Sequence, residues 1–432
     1  MSGPRALFVC HGCGATIDAA LALPFRCPGA GASGNDVDHL LLPREANGGF
    51  TQRTEANPFL RYRSLLSPYH VARSAGLSDD SWEEIVGRLD SALTAVDGTG
   101  FRVTPMAVQP ALAGALGFRG TLWVKDETGN VSGSHKARHL MGVMLYLRVL
   151  AAARLPAGEN IAARRLAIAS CGNAALAAAV VARAADWPLA VFIPPDATAD
   201  VVRRLRELGA GISVCKRRQA EAGDPCFLRF REAVAAGAIP FGVQGSENGL
   251  SVEGGRTLAF EMAETFNSAK QNPDAVFVQV GGGALASAVA QGFAAAARIG
   301  LIARAPRLIA VQTAACAPLA RAWTRMGGID PAEAARHRSR FMWPWETPPA
   351  SVAHGILDDE TYDWLEVAKA MRLTGGRPLV VGEELLERAH ELAKRYTAIH
   401  ASATGTAGLA AMLDAAPTEG QIAVIFSGVE RA

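Results

Sequence analysis

The chain has 432 residues, 50% hydrophobic and 19% charged, with a formal net charge of +2. Such a length and apolar share supply one large core or two adjoining ones and imply a globular soluble protein. A charge so close to zero gives no electrostatic drive toward nucleic acid or an anionic membrane, and the basic cluster Lys216-Arg217-Arg218 is short enough to be a solvated loop. Met1-Ser-Gly-Pro-Arg5 runs into Cys10 without an apolar core region, so no secretory signal is expected. Seven cysteines, an odd number, then point to reduced thiols in the cytoplasm. The longest apolar segment, Ala284 to Ala303, is mostly Ala and carries Gln291 and Arg298; it reads as a helix packed on a sheet rather than a membrane span.

Residues 1–45 differ in composition from the rest of the chain. Cys10-His-Gly-Cys13-Gly14 and Cys27-Pro-Gly-Ala-Gly31 face each other there across a short strand-like stretch. A closed structural zinc site takes four ligands. After Cys10, Cys13 and Cys27 the fourth stays open among His11, Asp36, Asp38 and His39, and the missing fourth thiolate leads to the expectation of no metal. From Asn57 to Asp97 a connecting arm precedes a helix, for which Ser81-Trp-Glu-Glu84 reads as a capping box ahead of Ile85, Leu89 and Leu93. Thr121 to Glu127 reads as a strand delivering the glycine-punctuated turn Ser132-Gly-Ser-His-Lys-Ala-Arg-His139, which enters the apolar helix-like run Leu140 to Leu150. Lys136 at that junction is a candidate nucleophile: Arg138, a helix N-terminus and apolar surroundings all favour the neutral amine that forms Schiff bases.

Further along, apolar runs at Leu166–Ala169, Leu189–Ile193 and Ile212–Cys215 alternate with helical segments, including Thr198 to Leu208, which predicts parallel βαβ units. Three strand-like runs end in turns suited to ligands. Ser170-Cys171-Gly172-Asn173-Ala174 opens an Ala-rich helix, where free backbone N–H groups hold an anion such as a carboxylate. Gly281-Gly282-Gly283-Ala284 follows Val276 to Val280 and suits backbone approach to a phosphate. Ile422 to Phe426 ends in Ser427-Gly428.

In this order the four stretches resemble the fold type II family of pyridoxal 5′-phosphate enzymes, which includes threonine synthase, serine and threonine ammonia-lyases and the tryptophan synthase β-chain. The resemblance runs from roughly Thr104 to the C-terminus. It implies an α/β fold of two doubly wound parallel-sheet lobes with the cofactor cleft between them. The large cofactor-binding domain would comprise residues 46–130 and 244–432, the smaller substrate-side domain residues 131–243. By the same resemblance Lys136 is the Schiff-base lysine, Asn173 the partner of the cofactor's 3′-oxygen, and Ser427 the partner of the pyridine nitrogen. Gly281, Gly282 and Gly283, with Ala284, form the phosphate cradle, while Ser170, Gly172 and Ala174 line the pocket for the substrate carboxylate. A homodimer is the common assembly. The N-terminal segment is similar to the zinc ribbon of some threonine synthases but departs from it around Ala30, where another Cys is usual.

The resemblance leaves the reaction open. Glu253-Gly-Gly-Arg-Thr257, Ser351-Val-Ala-His-Gly-Ile356 and Ala403 to Leu409 resemble the threonine synthase version, with His354 on the substrate side or structural. That group, however, usually has Phe before its lysine and an acidic residue after it, where this chain has His135 and Ala137. His135 resembles a tryptophan synthase feature instead. The expectation is α,β-elimination on a hydroxy or otherwise β-substituted small amino acid, giving a 2-oxo acid and ammonia. The alternatives are γ-replacement on O-phosphohomoserine and a β-replacing synthase.

Overall fold

The computed structural model describes residues 6–32, 34–44, 50–219, 221 and 223–431. In chain order its strands are β1 (Leu7–Cys10), β2 (Thr16–Asp18), β3 (Leu41–Pro43), β4 (Met106–Val108), β5 (Thr121–Asp126), β6 (Leu166–Ala169), β7 (Leu189–Ile193), β8 (Gly211–Val214), β9 (Ile239–Pro240), β10 (Ala275–Gln279), β11 (Arg307–Thr313), β12 (Arg377–Val381) and β13 (Gln421–Phe426). The chain divides into two units, the first of Met1–Asn35, His39–Arg102 and Lys136–Gly254, the second of Asp36–Asp38, Val103–His135 and Gly255–Ala432.

In the second unit the strand order is β12-β11-β10-β13-β5-β4, parallel throughout except for the edge strand β4, which runs antiparallel to β5. Central strands of a parallel sheet are covered on both faces, which is why β10 and β13 are apolar runs without alternation. Every residue of β10 and all of β13 after Gln421 are buried. The helix Ala403–Ala415 lies on this sheet, its Leu409 and Ala410 sharing a core with Phe277 and Val424. It approaches so closely that a Cβ on Gly408 would stand 3.1 Å from the Phe277 carbonyl oxygen.

The first unit holds a four-stranded parallel sheet, β8-β7-β6-β9, and a three-stranded antiparallel one, β2-β1-β3. The βαβ alternation expected between residues 166 and 215 supplies β6, β7 and β8 of the larger sheet, and β9 completes it. Lys136–Ala152 is buried nearly all round, from Ala137 to Leu147 without a break, as befits a helix packed on every side. Gly142 and Gly254 allow this: a Cβ on Gly254 would fall 2.0 Å from the Arg138 carbonyl oxygen, and one on Gly142 would fall 3.0 Å from the Gly254 backbone.

Two expectations differ from the structure. Helices Ser67–Ser74 and Asp79–Asp97 pack against Lys136–Ala152 and Asn173–Ala184, so His39–Arg102 groups with the first unit rather than with the large domain. The expected boundary at 45/46 lies outside the described residues, as do Met1 to Arg5. The helix expected from Ser81 instead begins at Asp79, capped by Ser78, whose Oγ accepts from the Ser81 N–H at 3.1 Å. Ser78-Asp-Asp-Ser81 supplies the cap one turn earlier, and Trp82, Val86, Leu89 and Leu93 form the buried face. Among the described residues no single helix is long and apolar enough to cross a membrane, and the apolar run from Ala284 is a helix ending at Arg298. Lys216 to Arg218 form an exposed loop.

Candidate active site

In the second unit β13 lies between β10 and β5, so the turns leaving the C-terminal ends of these three parallel strands are neighbours, the place where open α/β sheets bind ligands. The turn leaving β5 is anchored from below. The Glu127 N–H donates to the Phe426 carbonyl at 2.8 Å. The buried Glu127 carboxylate accepts from Asn130 Nδ2 at 2.8 Å and from the Thr104 hydroxyl, while Lys125 Nζ donates to Glu261 at 2.5 Å and to the Thr104 carbonyl at 2.6 Å. Ionised groups in a core persist when paired in this way, and removing one member strands the others. Beyond Asn130 the chain turns through two left-handed residues, Ser132 (φ 57°) and Gly133 (φ 67°), and a Cβ on Gly133 would collide with Val429 at 2.4 Å.

This fold-back brings His135 to Ser427. The His135 backbone N–H donates to Ser427 Oγ at 3.0 Å, and its ring Nδ1 lies 2.5 Å from the same oxygen. Lys136 is the next residue in the chain. The hydroxyl therefore has one accepting site filled, and its proton depends on His135: with a proton on Nδ1 the ring donates, leaving the Ser427 O–H to point elsewhere.

The glycine turn leaving β10 is packed under residues 356–363. Gly283 has φ 95°, and side chains at Gly282 and Gly283 would meet Tyr362 at 3.0 Å and Thr361 at 2.9 Å. Thr361 donates to the Gly281 carbonyl at 3.0 Å. The helix Ala284–Arg298 begins here with no side-chain cap at Gly283. An anion already uses the turn: Asp358 Oδ2 accepts from the Gly282 N–H at 2.8 Å and occupies the space a Cβ on Gly281 would need, 2.1 Å away.

In the first unit Lys136 is the half-buried first residue of its helix, with Arg138 and His139 buried one turn inside. His139 Nδ1 donates to the Ser251 carbonyl at 2.8 Å. Burial, then the Lys136 charge, push this imidazole down to about 3, against the Ser251 carbonyl and with a smaller push from Arg138, so it is neutral. Ser170, at the end of β6, accepts from the Gly172 N–H at 3.4 Å. Gly172 is the N-cap of Asn173–Ala184, which no side chain caps, and Ala174 is buried. The first-turn amides of that helix suit a carboxylate. His354 is exposed, on a turn whose Gly355 N–H donates to Thr404 Oγ1 at 3.0 Å.

A family model described as pyridoxal-phosphate dependent enzyme matches residues 99–428. The chain belongs to this family. It is 26% identical to the threonine synthase of Mycobacterium tuberculosis over 312 residues, 72% of this chain and 75% of that one. It is 30% identical to a serine dehydratase-like protein of Rattus norvegicus over 192 residues, 44% of this chain and 52% of the other. The fold is that of maize serine racemase, with a TM-score of 0.60 at 18% identity over 80% of this chain and 94% of that one. These relatives carry the fold type II architecture, and pyridoxal 5′-phosphate is the cofactor. The residues present suit its functional groups: a lysine amine at a helix start, a glycine turn that takes an anion at Gly282, and the Ser427 hydroxyl. Asp358 and the Lys125, Glu127 and Glu261 cluster are additions to the residues singled out in the sequence. Nothing in the spacing links Asp358 to the glycine turn 76 residues earlier, or Lys125 to Glu261.

Proposed function

We propose that the protein is a lyase that removes the α-proton and the β-substituent from a hydroxy or otherwise β-substituted amino acid, giving a 2-oxo acid and ammonia. The observation that carries this reading is Ser427, a neutral hydroxyl bonded to the residue preceding Lys136. The cofactor, when bound, supplies an electron sink for the pair left on the α-carbon. Lys136 would hold it covalently, Asn173 would meet its 3′-oxygen, Gly281, Gly282, Gly283 and Ala284 would cradle its phosphate, and Ser427 would meet its ring nitrogen. Ser170, Gly172 and Ala174 receive the substrate carboxylate at the N-terminus of Asn173–Ala184.

Lys136 Nζ, as a free amine, would accept the α-proton as general base. A hydroxyl has little power to hold a ring nitrogen protonated, so the sink is weak and reactions that expel a leaving group as the proton departs gain weight. The β-oxygen leaves with a proton as water, and a water molecule later displaces the nitrogen as ammonia, which balances the overall reaction. Seven cysteines, none of them in a disulfide, support action in the cytoplasm. The homodimer expected from the resemblance completes the reading.

A second reading, γ-replacement on O-phosphohomoserine, is favoured by the mycobacterial threonine synthase, which aligns over 72% of this chain. A screen of amino acids against the holoprotein separates the two, following 2-oxo acid and ammonia, with O-phosphohomoserine included and phosphate measured. Ammonia and a 2-oxo acid from a β-substituted amino acid are expected. Threonine and phosphate from O-phosphohomoserine would put γ-replacement in its place. Ser427→Asp, which brings a carboxylate able to keep the ring nitrogen protonated, is expected to raise the share of transamination or racemisation among the products.

A further inference from the structure

The segment before the family match contains a second constellation, remote in sequence from every residue used above. Strands β1 and β2 are joined by a tight turn in which the Gly14 N–H donates to the Cys10 carbonyl at 2.8 Å and the Cys10 N–H to the Ala15 carbonyl at 2.8 Å. The turn needs Gly14 for its left-handed backbone (φ 77°), and it places Cys13 beside Cys10. A second turn, Cys27-Pro-Gly-Ala30, is closed by the Ala30 N–H donating to the Cys27 carbonyl at 2.9 Å. Strand β3 then pairs Leu41 with Cys10, which brings His39, two residues earlier, to the same end of the sheet.

The result is four ligand atoms all within 4.8 Å of one another, from Cys10, Cys13, Cys27 and His39. Cys10 Sγ lies 3.5 Å from His39 Nδ1 and Cys13 Sγ 3.5 Å from Cys27 Sγ, with no disulfide. Around a tetrahedral zinc ion, with ligands at about 2.0–2.3 Å, neighbouring ligand atoms stand roughly 3.4–3.8 Å apart. The two 3.5 Å separations fall in that range, and the whole set lies within 4.8 Å. On the far side of the ring the Asn35 amide lies 2.7 Å from His39 Nε2, its Nδ2 donating to the Gly29 carbonyl at 2.7 Å; with Nδ1 on the metal, Nε2 carries the proton and the amide turns its oxygen to accept it. A Cβ on Gly29 would stand 3.0 Å from the His39 ring, which would have to give by a few tenths of an ångström. The other candidates for the fourth ligand are outside the cluster: Asp36 bonds Ser339, Asp38 bonds Arg338 at 3.1 Å, and His11 is exposed.

We propose that Cys10, Cys13, Cys27 and His39 bind one zinc ion as a closed, four-coordinate structural site. Three thiolates and one imidazole are soft and borderline ligands in the geometry zinc prefers, and no position is left open for a substrate or water. The expectation of a metal-free segment followed from counting thiols, and the fold supplies the fourth ligand from a histidine. The site braces the small sheet where it docks within the first unit. Tyr146, on the helix that begins at Lys136, donates to the Ala19 carbonyl at 2.8 Å, and the Gly249 N–H donates to the Phe25 carbonyl at 2.9 Å. Metal binding therefore stabilises the packing around that helix without touching the chemistry.

The test uses the full-length holoprotein purified without added metal and dialysed against metal-free buffer. Stoichiometric zinc by elemental analysis is expected, lost in Cys27→Ser and in His39→Ala but kept in His39→Cys. Should the first two variants not fold, the wild type decides. Replacement by cobalt(II) is expected to give intense ligand-field absorption with sulfur-to-cobalt charge-transfer bands, the signature of a tetrahedral thiolate site. Zinc release is likewise expected in step with thiol modification by an organomercurial. Reduced protein that neither contains zinc nor takes up added Zn²⁺ or Co²⁺ would overturn the proposal, as would zinc content unchanged in His39→Ala.

Discussion

In the proposed cofactor site the Asp358 carboxylate and the cofactor phosphate draw on one donor, the Gly282 N–H, now 2.8 Å from Asp358 Oδ2. A carboxylate on a backbone amide makes a charge-assisted bond, roughly twice as strong as its neutral counterpart, and two anions in one turn repel. Asp358→Asn keeps an oxygen for the amide but removes the charge. Because the side chain is partly exposed, screening limits the gain to about 1 kcal/mol, or about fivefold. Titration of the apoprotein is therefore expected to show about fivefold tighter binding of pyridoxal 5′-phosphate in Asp358→Asn. Unchanged or weaker binding would mean that Asp358 does not compete with the phosphate. The same scale shows what a sequence conceals. Lys136, Ser427 and the glycines stand at junctions that periodicity marks, whereas Asp358 acts through a fold-back across 76 residues that no local pattern records.

Among the elements, the helix Lys136–Ala152 carries the strongest constraints, since Gly142 and Gly254 let backbones meet and His139 is buried neutral beneath Lys136. Its run from Leu140 to Leu150 was legible as apolar, but its start at Lys136 depends on the turn chemistry of Ser132 and Gly133, and its neighbour across the Gly142 contact is the distant Gly254. The buried imidazole makes a prediction about pH. In the unfolded chain His139 titrates near its ordinary value of about 6.5, while in the folded protein it is pushed down to about 3. Between these values the unfolded state binds the extra proton, so stability is fully present above about pH 6.5 and is lost as pH falls toward 3, by roughly 1.4 kcal/mol per pH unit for one proton. Denaturant midpoints measured from pH 7 to pH 5 are expected to fall in the wild type and to fall less steeply in His139→Gln. Equal slopes would show that the ring is already charged in the native protein.

At the level of the whole molecule, parallel sheets, the cofactor family and the three turns proposed to hold ligands could be read from strand-to-helix junctions, because each is written in contiguous residues. The grouping of His39–Arg102 with the first unit could not, since it rests on helices Ser67–Ser74 and Asp79–Asp97 packing against partners beyond residue 136. Nor could the choice of His39 among four candidates, which β3 makes by pairing Leu41 with Cys10. The central claim is that Lys136 holds the cofactor, and borohydride reduction of the holoprotein followed by proteolysis and mass spectrometry tests it most directly. Reduction fixes the carbon–nitrogen bond between lysine and cofactor, so the label is expected on the peptide containing Lys136 and is expected to vanish in Lys136→Ala. Label on Lys125, Lys216, Lys270, Lys369 or Lys394 in its place would contradict the assignment.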